Sequence, residues 1–564
     1  MYDYELEIVK YKDKLINIFE KHRNIIIKGP TGCGKSTYVP LLLKDKNVAI
    51  IEPRRIAVTS LYAILKKNIP NIGYKMRFNK VNPKQDGPKT MIFTDGAFLA
   101  DMDMDYDYII IDEVHERSVR NDILLMLLKL NYKNKLIMMS ATLDTTKLCS
   151  YFKAFVFNIR TKTFPLCLKY LSKPTNDYII ESYLTVKKII KETDDDSRKD
   201  ILIFLPGVDC INDLAKLIKK IPTVKVYKIY SAMADIDQSK IFENCLMRKV
   251  ILSTNISETS LTIPTVKYVI DTGLVKTKIF KGINFLGIQA TSIESSRQRA
   301  GRCNRLGSGT CYRLYTENEK LPEAVPEIIK SDVSTAVLLL LKNNINLKTA
   351  KFIDLPTKEN LIIAIDFLQK IECIYIKDDT AVITKYGSRL INHPFDIHLS
   401  HFYELCVEAG EAYYGSILVS LIGLDNYNFL QNKNSKEMKT KETDIEYLVG
   451  IFEKYIEHKN KEEFCLEKGL SIKGMSVAYK IYKTLKKTKT ENGLQVVQKI
   501  FSKAFALNLC LRQKDGSYKL LNTEQIVNLH PSSGFFKRNI QKIVVVDFFY
   551  TSKLYCRIVG NYFE

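Results

Sequence analysis

Short apolar runs, each about one strand long, recur through the first part of the chain: Ile25-Ile26-Ile27, Val48 to Glu52, Met91 to Thr94, Tyr108 to Ile111 and Leu136 to Met139. Runs without alternation read as strands buried on both faces, and the stretches between them, such as Tyr38 to Lys46 and the one after Pro53-Arg54-Arg55, suit helices. Strand and helix in alternation predict a parallel α/β sheet. Residues 1 to 24 read as one charged lead-in helix, and the first sheet finishes near 158 to 165. After the polar stretch KETDDDSRKD (191 to 200), ILIFLP (201 to 206) opens a second α/β unit, with strands at Lys249 to Ser253 and Tyr268 to Ile270.

From about residue 326 the period changes. Asp332 to Lys342 and Glu359 to Lys370 are amphipathic and helical, followed by short strands at Ile374 to Ile376 and Ala381 to Ile383, which suggests a winged-helix module. Residues 393 to 490 are mainly helical, broken by the charged loop NKNSKEMKTKET (432 to 443). Ser517 to Leu521, Ile526 to Leu529, Ile543 to Phe549 and Leu554 to Val559 return to strand period and fit a small barrel such as an OB-fold. The expected division is 1–158, 159–325, 326–392, 393–490 and 491–564.

A chain of 564 residues agrees with several domains. The formal charge of +22 describes a surface that attracts polyanions, nucleic acid first. Twelve cysteines without zinc-knuckle spacing read as reduced thiols, and no stretch has the length and apolarity of a membrane span. Trp is absent, which leaves stacking to Tyr and Phe.

Between the first strand and the helical stretch after it lies Gly29-Pro30-Thr31-Gly32-Cys33-Gly34-Lys35-Ser36-Thr37, a P-loop. Its glycines let backbone N–H groups wrap a triphosphate, Lys35 reaches the outer phosphates, and the Ser36 hydroxyl ligates Mg2+. Asp112-Glu113-Val114-His115 follows strand Tyr108 to Ile111, so both carboxylates stand at the strand's C-terminal end, where ligands of open α/β sheets bind. Asp112 suits a metal and Glu113 the attacking water. The second unit has no P-loop and should complete this site across a cleft. Its candidates are Gln298, Arg302 and Arg305, the arginines three apart and able to share one face of a helix.

Taken together these residues resemble the DEAH-box branch of superfamily 2 RNA helicases. The resemblance covers GPTGCGKST, EPRRIAVTS (52 to 60), TDGAFL (94 to 99), DEVH, SAT (140 to 142), ILIFLPG (201 to 207), STNISETSLTIP (253 to 264) and QRAGRCNR (298 to 305), in family order, with HPSS (530 to 533) and TSKLYCR (551 to 557) beyond them. It implies two tandem RecA-like lobes followed by winged-helix, helical ratchet and OB-fold domains, acting as an ATP-dependent 3′-to-5′ RNA helicase. Lys35, Ser36, Asp112, Glu113, Gln298, Arg302 and Arg305 would form the nucleotide site, with Ser36, Asp112 and Glu113 around Mg2+. His115, Ser140 and Thr142 would couple that site to RNA; Arg54, Arg55, Thr94, Asp95, Gly96, Thr254 and Thr259 would line the RNA path.

The resemblance also implies a strand-separating β-hairpin at Lys276 to Ala290, here about three residues short. An ATP-regulated RNA clamp, or a DNA helicase, is therefore the alternative. Phe242 matches one aromatic wall of the adenine pocket, while Ile64 replaces the arginine opposite, so other nucleoside triphosphates should be accepted. Asn304 replaces a glycine, in keeping with a left-handed backbone there. The partners implied are single-stranded RNA or RNA–protein complexes and an activating protein cofactor, with no membrane, for a monomeric motor placed in the nucleus by the splicing and ribosome-biogenesis members and otherwise in the cytoplasm.

Overall fold

The computed structural model describes the whole chain except residues 1–5, 31, 78, 85, 103–104, 142–144, 162–163, 194–198, 231–239, 244, 259–262, 425–442, 492, 552 and 564. Residues 432 to 442 of the charged loop lie outside the described residues, and its last residue, Thr443, caps helix Asp444–Glu457.

The first lobe is an eight-stranded sheet in the order β4-β3-β5-β2-β6-β7-β1-β8. Its strands are β1 (Asn24–Lys28), β2 (Val48–Glu52), β3 (Ile72–Met76), β4 (Asn79–Val81), β5 (Thr90–Thr94), β6 (Tyr108–Ile111), β7 (Lys135–Ser140) and β8 (Phe155–Asn158). All neighbours are parallel except the β3–β4 hairpin. The uniform apolar runs are explained by burial: every residue of β2, β5 and β6 is buried. The lead-in is not one helix but a 3-10 turn, Glu7–Tyr11, followed by helix Lys12–Lys21. The helix after the P-loop starts inside it and spans Lys35–Leu42.

The second lobe is a six-stranded parallel sheet, ordered β11-β12-β10-β13-β16-β9. It comprises β9 (Leu166–Leu171), β10 (Asp200–Phe204), β11 (Val224–Ile229), β12 (Arg248–Ser253), β13 (Val266–Asp271) and β16 (Gly309–Thr316). β9 precedes the polar stretch that seemed to open this unit; as an edge strand with four exposed residues it lacks the apolar signature of its neighbours. Between β13 and β16 the chain makes the antiparallel hairpin β14 (Leu274–Phe280) and β15 (Asn284–Ala290), turning at Gly282.

Helices Ser334–Lys342 and Lys358–Lys370 and the hairpin β17 (Ile374–Lys377) and β18 (Thr380–Ile383) form a small module. Its apolar side merges with that of the first lobe: Leu124 and Leu127 belong to the same buried cluster as Val337 and Leu340. The seam is pinned by Arg117, whose Nη2 donates to Asp354 Oδ2 at 2.8 Å.

Among the described residues, six helices between Ile397 and Ala504 share one core around Phe402, Phe452 and Phe501. The helix Gly493–Ala504, within the segment 491–564 assigned from the sequence to the barrel, buries Val497 and Phe501 in the helical core. The barrel follows, from β19 (Leu509–Arg512), β20 (Tyr518–Leu520), β21 (Ile526–Leu529), β22 (Lys542–Tyr550) and β23 (Leu554–Asn561), closed by β22–β23 pairing. Buried Asp444 ties it to the helices, accepting from Ser533 Oγ at 2.7 Å, Gly534 N at 2.6 Å and Val559 N at 2.9 Å. The second lobe's hairpin joins the same sheet, with Phe285 opposite Phe548 and Leu286 opposite Phe549.

Candidate active site

The P-loop turns between β1 and helix Lys35–Leu42 with Gly32 at φ 88° and Gly34 at φ 100°, a region that penalises any Cβ. Space gives a second reason at Gly34, where a Cβ would lie 2.8 Å from Ile8 Cγ2. The lead-in forms this wall, and Ile8 N donates to Cys33 O at 3.2 Å. Lys35 is buried, its Nζ donating to the carbonyls of Gly29 at 2.5 Å and Pro30 at 3.1 Å, so the ammonium sits inside the loop that would hold phosphates. Thr37 Oγ1 donates to Gly34 O at 3.2 Å. Ser140, at the end of β7, is fully buried and its carbonyl accepts from Gly29 N at 3.2 Å, joining the SAT segment directly to the P-loop. Thr31, Thr142 and Thr259 lie outside the described residues.

At the end of β6, Asp112 is buried, and its Oδ1 accepts from Glu113 N at 2.8 Å. Glu113 is left-handed, φ 47°, a conformation costly for a residue with a Cβ and common where a site dictates geometry. Burial pushes its carboxyl up to about 7, the charge of Asp112 adds to this, and Lys35, Arg54 and Arg305 hold it back. Glu52, at the end of β2, is a further buried carboxyl beside these, raised well above its usual range by burial and by the charges of Asp112 and Glu113. In the EPRR segment the sequence points to the arginines, and it is the strand register, with Ile51 opposite Ile111, that brings Glu52 to Asp112.

Such desolvated carboxylates suit a cation. Among the described residues no group of three or more His, Cys, Asp or Glu could cage a metal alone. That fits Mg2+, which binds through one or two protein ligands and completes its shell with phosphate oxygens and water. Ser36 and Asp112 would hold it, and Glu113 Oε2, buried and without a hydrogen bond, stands 3.4 Å from His115 Nδ1. Mg2+ would neutralise charge on the transferring phosphoryl group.

The second lobe supplies the complement. Gln298 lies on helix Ile293–Ala300, and its Nε2 stands 3.0 Å from His115 Nε2 of the first lobe. Burial lowers the pKa of His115, which favours a neutral ring that accepts from the Gln298 amide. The helix ends at Ala300, so Arg302 and Arg305 come from the turn beyond it rather than from one helical face. Arg302 is buried and bonds the Glu258 carbonyl; burial pulls Arg305 down to about 10, while the charge of Glu113 pulls the other way. Arg299, inside the candidate segment QRAGRCNR but given no role of its own by the sequence, is the strut: 1% exposed, it bonds Glu258 at 3.1 Å and Asp271 at 2.8 Å. Asn304 is not left-handed; its side chain bonds Phe164 O at 3.0 Å.

Of the residues expected on the RNA path, Arg54 pairs with Glu116 at 2.8 Å and reaches Ile256 O of the other lobe at 3.5 Å. Arg55 is exposed and bonds Arg77 O at 2.8 Å. Thr94 is buried at the end of β5; Asp95 accepts from Gly96 N at 2.6 Å, and Thr254 follows β12, its N–H bonded to Ile229 O at 3.2 Å. Ile64 and Phe242 are 50% and 40% exposed, which leaves both apolar side chains open to a base.

Residues 10–149 match the DEAD/DEAH box helicase family and residues 183–307 the helicase conserved C-terminal domain. The ATP-dependent RNA helicase HrpA of Borreliella burgdorferi is 31% identical, over 99% of this chain and 74% of its own. The pre-mRNA-splicing factor ATP-dependent RNA helicase prp22 of Schizosaccharomyces pombe is 29% identical, over 99% of this chain and 52% of its own. The crystal structure of the Escherichia coli DEAH/RHA helicase HrpB superposes with a TM-score of 0.81 at 22% identity, over 99% of this chain and 70% of that one.

Proposed function

Because the chain belongs to the DEAH-box family of ATP-dependent RNA helicases, we propose that it moves 3′ to 5′ along single-stranded RNA as a monomer and separates strands at its β14–β15 hairpin. The observation that carries this reading is the site shared across the cleft: Gln298 on His115 at 3.0 Å, with the charge of Arg305 acting on Glu113. A nucleotide there would be sensed by both lobes at once, so binding and hydrolysis would alter their separation.

Three groups divide the chemistry. Lys35 anchors phosphates, Glu113 orients water, and Arg302 and Arg305 meet charge that develops on the γ-phosphoryl group. The clamp alternative is disfavoured because the hairpin, though short, pairs along its length and is built onto the barrel sheet through Phe285 and Leu286. The fuel is a nucleoside triphosphate with weak base selection, since Ile64 offers an aliphatic surface and no guanidinium plane opposite Phe242. GTP, CTP and UTP should fall within about tenfold of ATP in kcat/KM, ~1.4 kcal/mol.

RNA processing in the nucleus, the setting of a pre-mRNA-splicing relative, is the first pathway to examine, with cytoplasmic RNA–protein complexes second and an activating protein cofactor in either. Duplexes with a 3′ or a 5′ single-stranded overhang test the motor. Displacement from the 3′ overhang alone supports the reading; RNA-stimulated hydrolysis without displacement would replace it with the clamp.

A further inference from the structure

The helical domain carries a basic face that no part of the nucleotide site uses. Between Ser471 and Thr490 the sequence holds Lys473, Lys480, Lys483, Lys486, Lys487 and Lys489 and no Asp or Glu. Helix Ile472–Thr484 buries Met475, Ala478 and Ile481 against its own domain, while Lys473, Lys480 and Lys483, spaced seven and three apart, share the opposite face.

The segment after the helix is not a loose tail. Lys486 N donates to Tyr403 Oη at 2.9 Å, Tyr413 N donates to Thr488 O at 2.8 Å, and Thr490 Oγ1 donates to Glu411, which is fully buried. Tyrosine rings support the lysines. Lys483 Nζ lies 4.4 Å from the centre of Tyr479, Lys487 4.9 Å from Tyr482 and Lys489 4.7 Å from Tyr413. Lysine stems held on aromatic faces lose less freedom when they meet an anion than free lysines do. Helix Ile472–Thr484 packs on helices Ala412–Ile422 and Lys461–Glu467 of its own domain, whereas the links to the barrel run through helices Asp444–Glu457 and Gly493–Ala504.

We propose that this lysine face is a second RNA surface, which holds the phosphate backbone of a strand extending beyond the motor's groove. A fixed array of cations from a stretch without Asp or Glu, with Glu453 nearby accepting from Tyr413 Oη at 3.0 Å, matches a regularly charged polyanion, and backbone contacts of this kind hold RNA without reading its sequence. The proposal rests on the RNA-motor reading above and adds a site to it.

The test uses the full chain with Lys480, Lys483, Lys486 and Lys487 each changed to Glu, and single-stranded oligo(U) of about 8 and about 30 nucleotides. The expected result is that the long RNA binds the variant roughly tenfold more weakly near 0.1 M salt, with the log–log salt slope reduced by about 2 to 3, while short-RNA affinity and short-RNA-stimulated ATPase stay within about twofold. The four Lys→Gln changes should give the same pattern more weakly, and a melting curve like wild type's confirms the fold. Unchanged long-RNA binding overturns the proposal, as does equal loss of short RNA, which would place these lysines in the groove. If polyglutamate of matched charge displaces the long RNA from wild type as well as RNA does, the surface belongs to an acidic protein instead. Absence of RNA stimulation in wild type would overturn the motor reading, a result separate from all of these.

Discussion

In the first lobe the groups that meet the nucleotide stand on turns at strand ends, and the conformation is local: Gly32 and Gly34 at φ 88° and 100°, Glu113 at φ 47°. In the second lobe, Arg302 and Arg305 sit on the turn after a helix, and that turn is held from behind by Arg299, ion-paired with Glu258 and Asp271 in the interior. One lobe spends backbone strain to aim negative groups and donors. The other uses a buried charge network to present positive ones. The same cleft is thus built by two devices, and they should fail differently when broken.

The largest effect is expected at the second lobe's tip. Arg305→Ala, and Arg302→Ala in the same direction, should lower kcat by about 10³- to 10⁵-fold while nucleotide affinity changes by a few-fold, because such arginines act on transition-state charge. Steady-state ATPase beside equilibrium binding of a fluorescent nucleotide reads this. Affinity and kcat falling together would make them ground-state ligands.

On the first lobe, Glu113→Gln should lower kcat by about 10²- to 10⁴-fold, the usual range for removing a general base, and still bind nucleotide. Lys35→Ala should do the converse, with binding lost first. Near-normal turnover in Glu113→Gln would move the base elsewhere, and Glu52, buried beside Asp112, would be the next residue to change.

Third comes the strut. Arg299→Met leaves Asp271 and Glu258 buried without their partner, which typically costs about 3–5 kcal/mol. Chemical denaturation should therefore show a protein destabilised by more than Arg302→Ala, which takes away a donor to the Glu258 carbonyl but leaves Asp271 and Glu258 paired with Arg299. An Arg299→Met variant with full stability and reduced kcat would mean that Arg299 works at the nucleotide and not behind it.

This contrast also explains what the sequence could reveal. The P-loop and the DEVH segment are legible because their chemistry needs a fixed backbone, and a fixed backbone needs fixed spacing. Strands β2, β5 and β6 were legible because both faces are buried. β9 was not, being an exposed edge, nor was helix Gly493–Ala504, whose core contacts are with helices distant in sequence. The QRAGRCNR segment announced its arginines but not their division of labour. That Arg299 is ion-paired in the interior depends on Asp271 and Glu258, 28 and 41 residues away.

The smallest expected effect concerns a cation of the first lobe that reaches the second. Arg54 Nη2 is 2.8 Å from Glu116 Oε1, and Nη1 reaches Ile256 O at 3.5 Å across the cleft. Both side chains are partly exposed, 27% and 21%, so their pairing is worth no more than about 1 kcal/mol. If RNA draws Arg54 onto a phosphate, this contact is what RNA must displace, and Glu116→Gln should tighten RNA by up to about threefold, ~0.6 kcal/mol. Arg54→Ala should reduce the salt slope of RNA binding by about 1, as loss of one phosphate contact does. In the Arg54→Ala background Glu116→Gln should then have no effect, because a pair that interacts gives non-additive changes and independent residues do not. Additive effects, or an unchanged salt slope, would leave Arg54 as a clasp between lobes rather than a contact to RNA, and the first lobe's hold on the second would then include its hydrogen bond to the Ile256 carbonyl as well as the bond between His115 and Gln298.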